Sequence, residues 1–126
     1  MPTAKLKTAV PVIASNDVAG SVDYFVRVLG FERQWVWGEP PVYAGVRSGD
    51  AILYISHDAA YVDAIRNLRL APDIYIWVDD VETLYAQHLS TGAEIIEKVE
   101  TKPWGTRQYT IREPNGYRLK FASDVS

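Results

Sequence analysis

The chain has 126 residues, a net charge of −3 and no cysteine. That length points to one domain burying roughly two-thirds of its unfolded surface, and the lack of cysteine excludes disulfides and thiolate metal sites. The acidic balance argues against nucleic acid as a partner. No apolar run nears the ~20 residues of a membrane span, and the opening Met-Pro-Thr-Ala-Lys-Leu-Lys lacks a signal peptide's apolar stretch, so a cytoplasmic protein is expected.

Lys5–Ala14, rich in Val and Ile, predicts a first strand. Ser15-Asn16-Asp17 supplies N-cap chemistry. Val18, Val22, Phe25, Val26 and Leu29 then recur at helical spacing until Gly30. Phe31–Gly38 reads as a strand with Phe31, Arg33, Trp35 and Trp37 on one parity. A turn at Glu39-Pro40-Pro41 leads to strands Val42–Arg47 and Ala51–His57, joined at Ser48-Gly49-Asp50. Asp58 can cap a short helix whose stripe is Val62, Ile65 and Leu68, ended by Ala71-Pro72.

The order then recurs. Ile74–Val78 predicts a strand, Asp79-Asp80 a cap, and Val81, Leu84, Tyr85 and Leu89 a helix face stopped by Gly92. Glu94–Val99 is a strand. Thr106–Arg112 and Tyr117–Phe121 form a hairpin around Glu113-Pro114-Asn115-Gly116, where Pro fixes φ and Asn-Gly tolerates positive φ. Asp17-Val18 matches Asp80-Val81 at an offset of 63, and Gly49-Asp50 matches Asn115-Gly116 at 66. The chain therefore reads as an α+β fold of two βαβββ modules, about 5–58 and 73–122, bridged by a linker helix over 59–72. Two curved sheets, each with a helix on its back, leave a concave face free. By strand parity Ile74, Ile76, Val78, Leu119, Phe121, Leu53 and Ile55 go to the core. Asp73, Tyr75, Trp77, Arg118, Lys120, Ile52, Tyr54 and Ser56 take the other face, a concentration of rings that marks binding.

Three runs carry a family resemblance: TAVPVIASNDVAGSVDYFVRVLGFE, DIYIWVDDVETLYAQHLSTGAEI and PWGTRQYTIREPNGYRLKF. They resemble the vicinal oxygen chelate superfamily, the group of glyoxalases, dioxygenases and bleomycin-resistance proteins. The resemblance implies the paired-module fold over nearly the whole length but not one activity. Enzymes of this group hold a divalent metal with His, Gln or Glu from four strands. The matching positions here carry Val10, Tyr54, Asp73 and Lys120, unsuited to a divalent cation. The resemblance is thus to the metal-free branch, whose bleomycin-resistance members are dimers that sequester a drug between subunits. It implies a homodimer, an aromatic or cationic small-molecule ligand such as a bleomycin-type antibiotic, and no cofactor.

The candidate ligand-binding residues are Trp35, Trp37, Tyr54, Asp73, Tyr75, Trp77, Trp104, Arg107, Tyr109 and Lys120. Asp73 and Lys120 are expected to pair across the concave face, orienting a ligand or serving as an ordinary ion pair. Trp35 and Trp37 with Arg33 suit aromatic stacking or a buried interface. Trp104, Arg107 and Tyr109 lead into the last hairpin, where by resemblance a loop rims a cavity, or else merely caps the core; either Arg107 or Gln108 points inward. His57 and His88 lack the nucleophile or metal set that catalysis needs, and His88 reads as packing. Two further readings stand beside ligand sequestration: an enzyme of the same fold with a non-standard site, of lyase, isomerase or dioxygenase type, and an accessory domain whose rings form only an interface.

Overall fold

The computed structural model describes residues 4–69 and 72–125. Strand β1 (Val12–Ser15) leads into helix α1 (Val18–Arg27), then strands β2 (Glu32–Trp37), β3 (Tyr43–Ser48) and β4 (Ala51–His57). Helix α2 (Ala59–Leu68) connects to β5 (Asp73–Trp77), α3 (Val81–Thr91), β6 (Glu94–Thr101), β7 (Thr106–Arg112) and β8 (Arg118–Asp124). The strands form two four-stranded mixed sheets, ordered β1-β4-β3-β2 and β5-β8-β7-β6.

The register reproduces the repeat residue by residue. Val12 lies opposite Tyr54 in the parallel β1–β4 pair, and Tyr75 lies opposite Lys120 in the parallel β5–β8 pair. Helices start where the sequence offers an acceptor: Asp17, Asp58 and Asp80 each take a backbone N–H of the first turn, from Gly20, Tyr61 and Thr83. Capping of this kind stabilises a helix by about 1 kcal/mol. Helix α3 ends at Gly92, φ 87°, a left-handed conformation open to glycine without strain. Arg69 ends α2 in the same region at φ 53°. Ala71, expected to end α2, lies outside the described residues.

The helices cover one face of each sheet and close a continuous core. Ile13, Phe25, Val46, Leu53, Ile55, Tyr109, Ile111, Leu119 and Phe121 are all fully or nearly fully buried. Each large apolar side chain removed from water contributes roughly 1.5–3 kcal/mol. Three helix-face expectations change. Leu89, Leu68 and Val26 are exposed, while His88 takes the central α3 position, one turn beyond Leu84 and Tyr85. His88 Nε2 lies 3.1 Å from the Leu29 carbonyl and Nδ1 2.8 Å from the Tyr109 hydroxyl. A carbonyl only accepts, so Nε2 donates, and in the neutral ring Nδ1 then accepts a hydrogen bond from the Tyr109 hydroxyl. Burial pushes the His88 pKa down, in agreement with that assignment.

The first strand is shorter than expected. It begins at Val12, because Pro11 has no N–H to donate, and the Pro11 carbonyl still accepts from Tyr54 N at 3.0 Å. Val10 therefore precedes the sheet rather than lying in it. No helix among the described residues is long and apolar enough to cross a membrane.

Candidate functional site

The faces turned away from the helices differ between the two sheets. On the first sheet, Trp35, Gly45 and Tyr54 form one cross-strand row, and Trp37, Tyr43 and Ser56 form the next. Three rings gather edge to face: Trp35 with Tyr43 at 5.0 Å, Trp35 with Tyr54 at 5.2 Å, and Tyr43 with Tyr54 at 5.9 Å between centroids. Such pairs contribute about 0.5–1.5 kcal/mol each beyond area burial. Gly45 makes room for them: a Cβ there would lie 2.6 Å from Trp35 Nε1. Trp37 stays 67% exposed at the rim.

Arg33 does not share this face. Arg33 lies opposite Val46 and Trp35 opposite Gly45, so Gln34 is an extra residue, a β-bulge that reverses the alternation. Val46 is core, which places Arg33 on the helix side of the strand. The second module repeats the device at Ile96, between Ile95 opposite Ile111 and Glu97 opposite Thr110. Glu97 therefore occupies the place that Trp35 holds in the first sheet.

On the second sheet the row equivalent to Trp35–Gly45–Tyr54 is Glu97–Thr110–Lys120–Tyr75. Asp73 and Lys120 do meet, Nζ to Oδ2 at 3.4 Å, and Arg118 Nε reaches the other Asp73 oxygen at 3.3 Å. Arg118 also reaches Glu97 at 3.3 Å, and Glu97 accepts from the Thr110 hydroxyl at 2.5 Å. The Thr110 hydrogen bond, helped by Lys120 and Arg118, holds the Glu97 carboxyl below its ordinary range. Tyr75 and Trp77 pack edge to face at 5.2 Å, and the Tyr75 hydroxyl donates to Gln108 Oε1 at 3.0 Å.

Of the three candidates around the final hairpin, two turn elsewhere. Tyr109 is fully buried against His88 and Phe121, and Arg107, on the same parity, pairs with Glu82 of α3 and reaches Thr101 Oγ1 at 3.1 Å. Thr106, Gln108 and Thr110 face the other way, because the β7–β8 register pairs Gln108 with Ala122 and Thr110 with Lys120. Trp104 is 68% exposed in the Lys102–Gly105 turn, its ring 5.9 Å from Lys102 Nζ. The sequence reading missed Tyr43, Glu97 and Thr110, and of Arg107 and Gln108 it is Gln108 that takes the open face. Thr110 stands between the equivalents of Trp35 and Tyr54, 65 positions after Gly45, so neither offset read from the sequence, 63 or 66, reaches it. Glu97 is hidden by the bulge.

The metal that the superfamily's enzymes use does not fit these residues. The Tyr54 ring is packed against Trp35 and Tyr43, and Asp73 is already shared by two cationic side chains. Among the described residues no three His, Asp or Glu side chains gather where an ion would be held.

Residues 7–121 match the family described as the Glyoxalase/Bleomycin resistance protein/Dioxygenase superfamily. The chain belongs to that superfamily. Among solved structures, it is similar to the bleomycin-binding protein from bleomycin-producing Streptomyces verticillus, complexed with copper(II)-bleomycin. The identity is 27% and the TM-score 0.74, over 94% of this chain and 97% of that one. TioX from Micromonospora sp. ML1 is 25% identical with a TM-score of 0.76, over 93% and 99% of the two chains. The bleomycin resistance determinant encoded on transposon Tn5 shares the fold with a TM-score of 0.79 at 20% identity, over 94% and 98%. No curated protein sequence matches the chain.

Proposed function

We propose that this protein binds a planar aromatic small molecule and holds it unchanged, with sequestration of a bleomycin-type antibiotic as the specific case. The observation that carries the reading is the ring-bearing face around the superfamily's former chelating positions: half-buried Trp35, Tyr43 and Tyr54 on one sheet, exposed Tyr75 and Trp77 on the other. Rings in such a place offer large stacking area at little entropic cost. The 27% identity to a bleomycin-binding protein supports the same reading. Trp37 and Trp104 extend the aromatic surface at the rims. Asp73 and Lys120 act as a fixed polar floor rather than as acid and base, since each already has a partner.

Titration of bleomycin and of planar aromatic compounds, followed by tryptophan fluorescence, tests this directly. The expected result is saturable quenching, with ligand recovered at unchanged mass. No optical change with any of them up to millimolar, or a ligand returned chemically altered, overturns the proposal.

A further inference from the structure

We infer that the second sheet selects a planar ring bearing a hydrogen-bond acceptor, such as a ring carbonyl, received by the side-chain amide of Gln108, rather than a cationic ring. This rests on the binding reading above and names the ligand class for that same face.

Gln108 is only 5% exposed, yet it sits on the open side of β7. Its Oε1 accepts twice, from the Tyr75 hydroxyl at 3.0 Å and from the Thr106 hydroxyl at 2.8 Å. Those two donors hold the amide in one orientation and leave Nε2 with two N–H groups and no acceptor among the described residues. Gln108 Nε2 is not among the fully buried side-chain atoms that lack a hydrogen bond, so it keeps contact with solvent. A ligand acceptor would therefore replace water on a donor that is already held in position, and that preorganisation favours binding.

Tyr75 builds the platform beside this donor. It lies opposite Lys120, while Gln108 lies opposite Ala122, so the phenol reaches diagonally across β8 to meet Gln108. Ala122 is fully buried and small enough to let it pass. The Tyr75 ring remains 43% exposed, with Trp77 edge-on beside it. A flat ring stacked on Tyr75 brings a substituent at its margin to the Gln108 amide.

Charge argues in the same direction. Four carboxylates of this face have cationic partners: Asp73 with Arg118 and Lys120, Glu97 with Arg118, Glu94 with Arg112 at 3.0 Å, and Glu100 with Lys102. Those four charges are already matched, whereas the Gln108 donors are open to a ligand.

The test uses two tricyclic rings of matched shape, neutral acridone with its carbonyl and cationic proflavine, titrated against the whole protein at pH 8 with tryptophan fluorescence. Acridone is expected to bind about tenfold tighter, the worth of one well-made hydrogen bond. Gln108→Glu keeps an acceptor for Tyr75 and Thr106 but removes both N–H donors. It is expected to lose about tenfold toward acridone and to shift the preference to proflavine, with a lowered thermal midpoint because a carboxylate stands at a nearly buried position. The wild-type preference stands on its own if the variant folds poorly. Tighter binding of proflavine by the wild type, or unchanged acridone affinity in folded Gln108→Glu, overturns the inference. If bleomycin quenches and acridone does not, the inference falls and the binding reading survives. If nothing binds, both fall.

Discussion

Two buried titratable side chains pull stability in opposite directions. Glu113 is 1% exposed at the β7–β8 turn, its Oε1 accepting from Asn115 N at 2.9 Å and Tyr117 N at 3.0 Å. Burial pushes its pKa up from 4.5 to about 6, against the pull of those hydrogen bonds and of Arg66. Between those values the folded chain keeps a proton that the unfolded chain has released. Stability therefore falls as pH rises through this window, by about 2 kcal/mol, and is level above it. His88 works the other way: its folded pKa lies below 6.5, so the unfolded chain protonates first and stability falls as pH drops below that value. Urea denaturation of wild type and Glu113→Gln across this range separates the two. The variant is expected to gain about 2 kcal/mol relative to wild type between the two pKa values, and a pH-independent difference would refute the assignment. A second residue-level prediction concerns Gly45. Gly45→Ala brings a Cβ to 2.6 Å from Trp35 Nε1, and the indole, at the sheet surface, can swing away. The expected outcome is a small loss of stability, about 1 kcal/mol, with a markedly weaker ligand-induced quench.

At the scale of elements, the tip of the last hairpin ties the two modules together. Asn115 Nδ2 donates to Ser21 Oγ of α1 at 3.0 Å and to Glu113 Oε2 at 3.0 Å, while its Oδ1 accepts from Asn16 N at 3.4 Å. Tyr117 adds its hydroxyl, which accepts from Ala14 N of β1 at 3.0 Å. Asn115→Ala strips several of these contacts and leaves buried polar groups behind, so a loss of about 2–4 kcal/mol is expected in urea unfolding. The Asn-Gly turn was legible from residue types alone, since Gly116 adopts φ 103°. Its role as a buried bolt was not, because Ser21 lies 94 positions away. Strand faces were legible where alternation runs unbroken, as in β4, β5 and β8. They failed at Gln34 and Ile96, where one extra residue reverses the side chains that follow, in β6 until a second shift between Glu97 and Glu100. That single device misplaced Arg33 and concealed Glu97. Arg107 and Tyr109 were misplaced for a related reason: β7 carries polar side chains on both parities and gives no clean pattern to read.

At the scale of the whole molecule, the repeat was the most legible feature, because capping aspartates and turn glycines recur at nearly constant spacing and fix the register of both sheets. What the repeat conceals is divergence of the two open faces, aromatic on one and ion-paired on the other. No ring contact among the described residues joins Trp35, Tyr43 or Tyr54 to Tyr75 or Trp77; the ring pairs stay within each sheet. Yet Trp37, Trp77 and Tyr75 remain 67%, 62% and 43% exposed. Ring surface left this open is stabilised when another surface covers it. Apposing the first sheet of one copy to the second sheet of another would build a cleft with stacking rings on one wall and the Gln108 donors on the other. Light scattering is therefore expected to give twice the 14.2 kDa chain mass. Trp77→Glu, a charge placed at the centre of that contact, should shift the mass toward one chain and weaken bleomycin binding together. Ligand at a hundredfold excess over its Kd should stabilise the wild-type assembly by about 2.7 kcal/mol and raise the thermal midpoint accordingly. A wild-type monomer that binds bleomycin with full affinity would show that one chain closes its own cleft, and the apposition of two copies would be wrong.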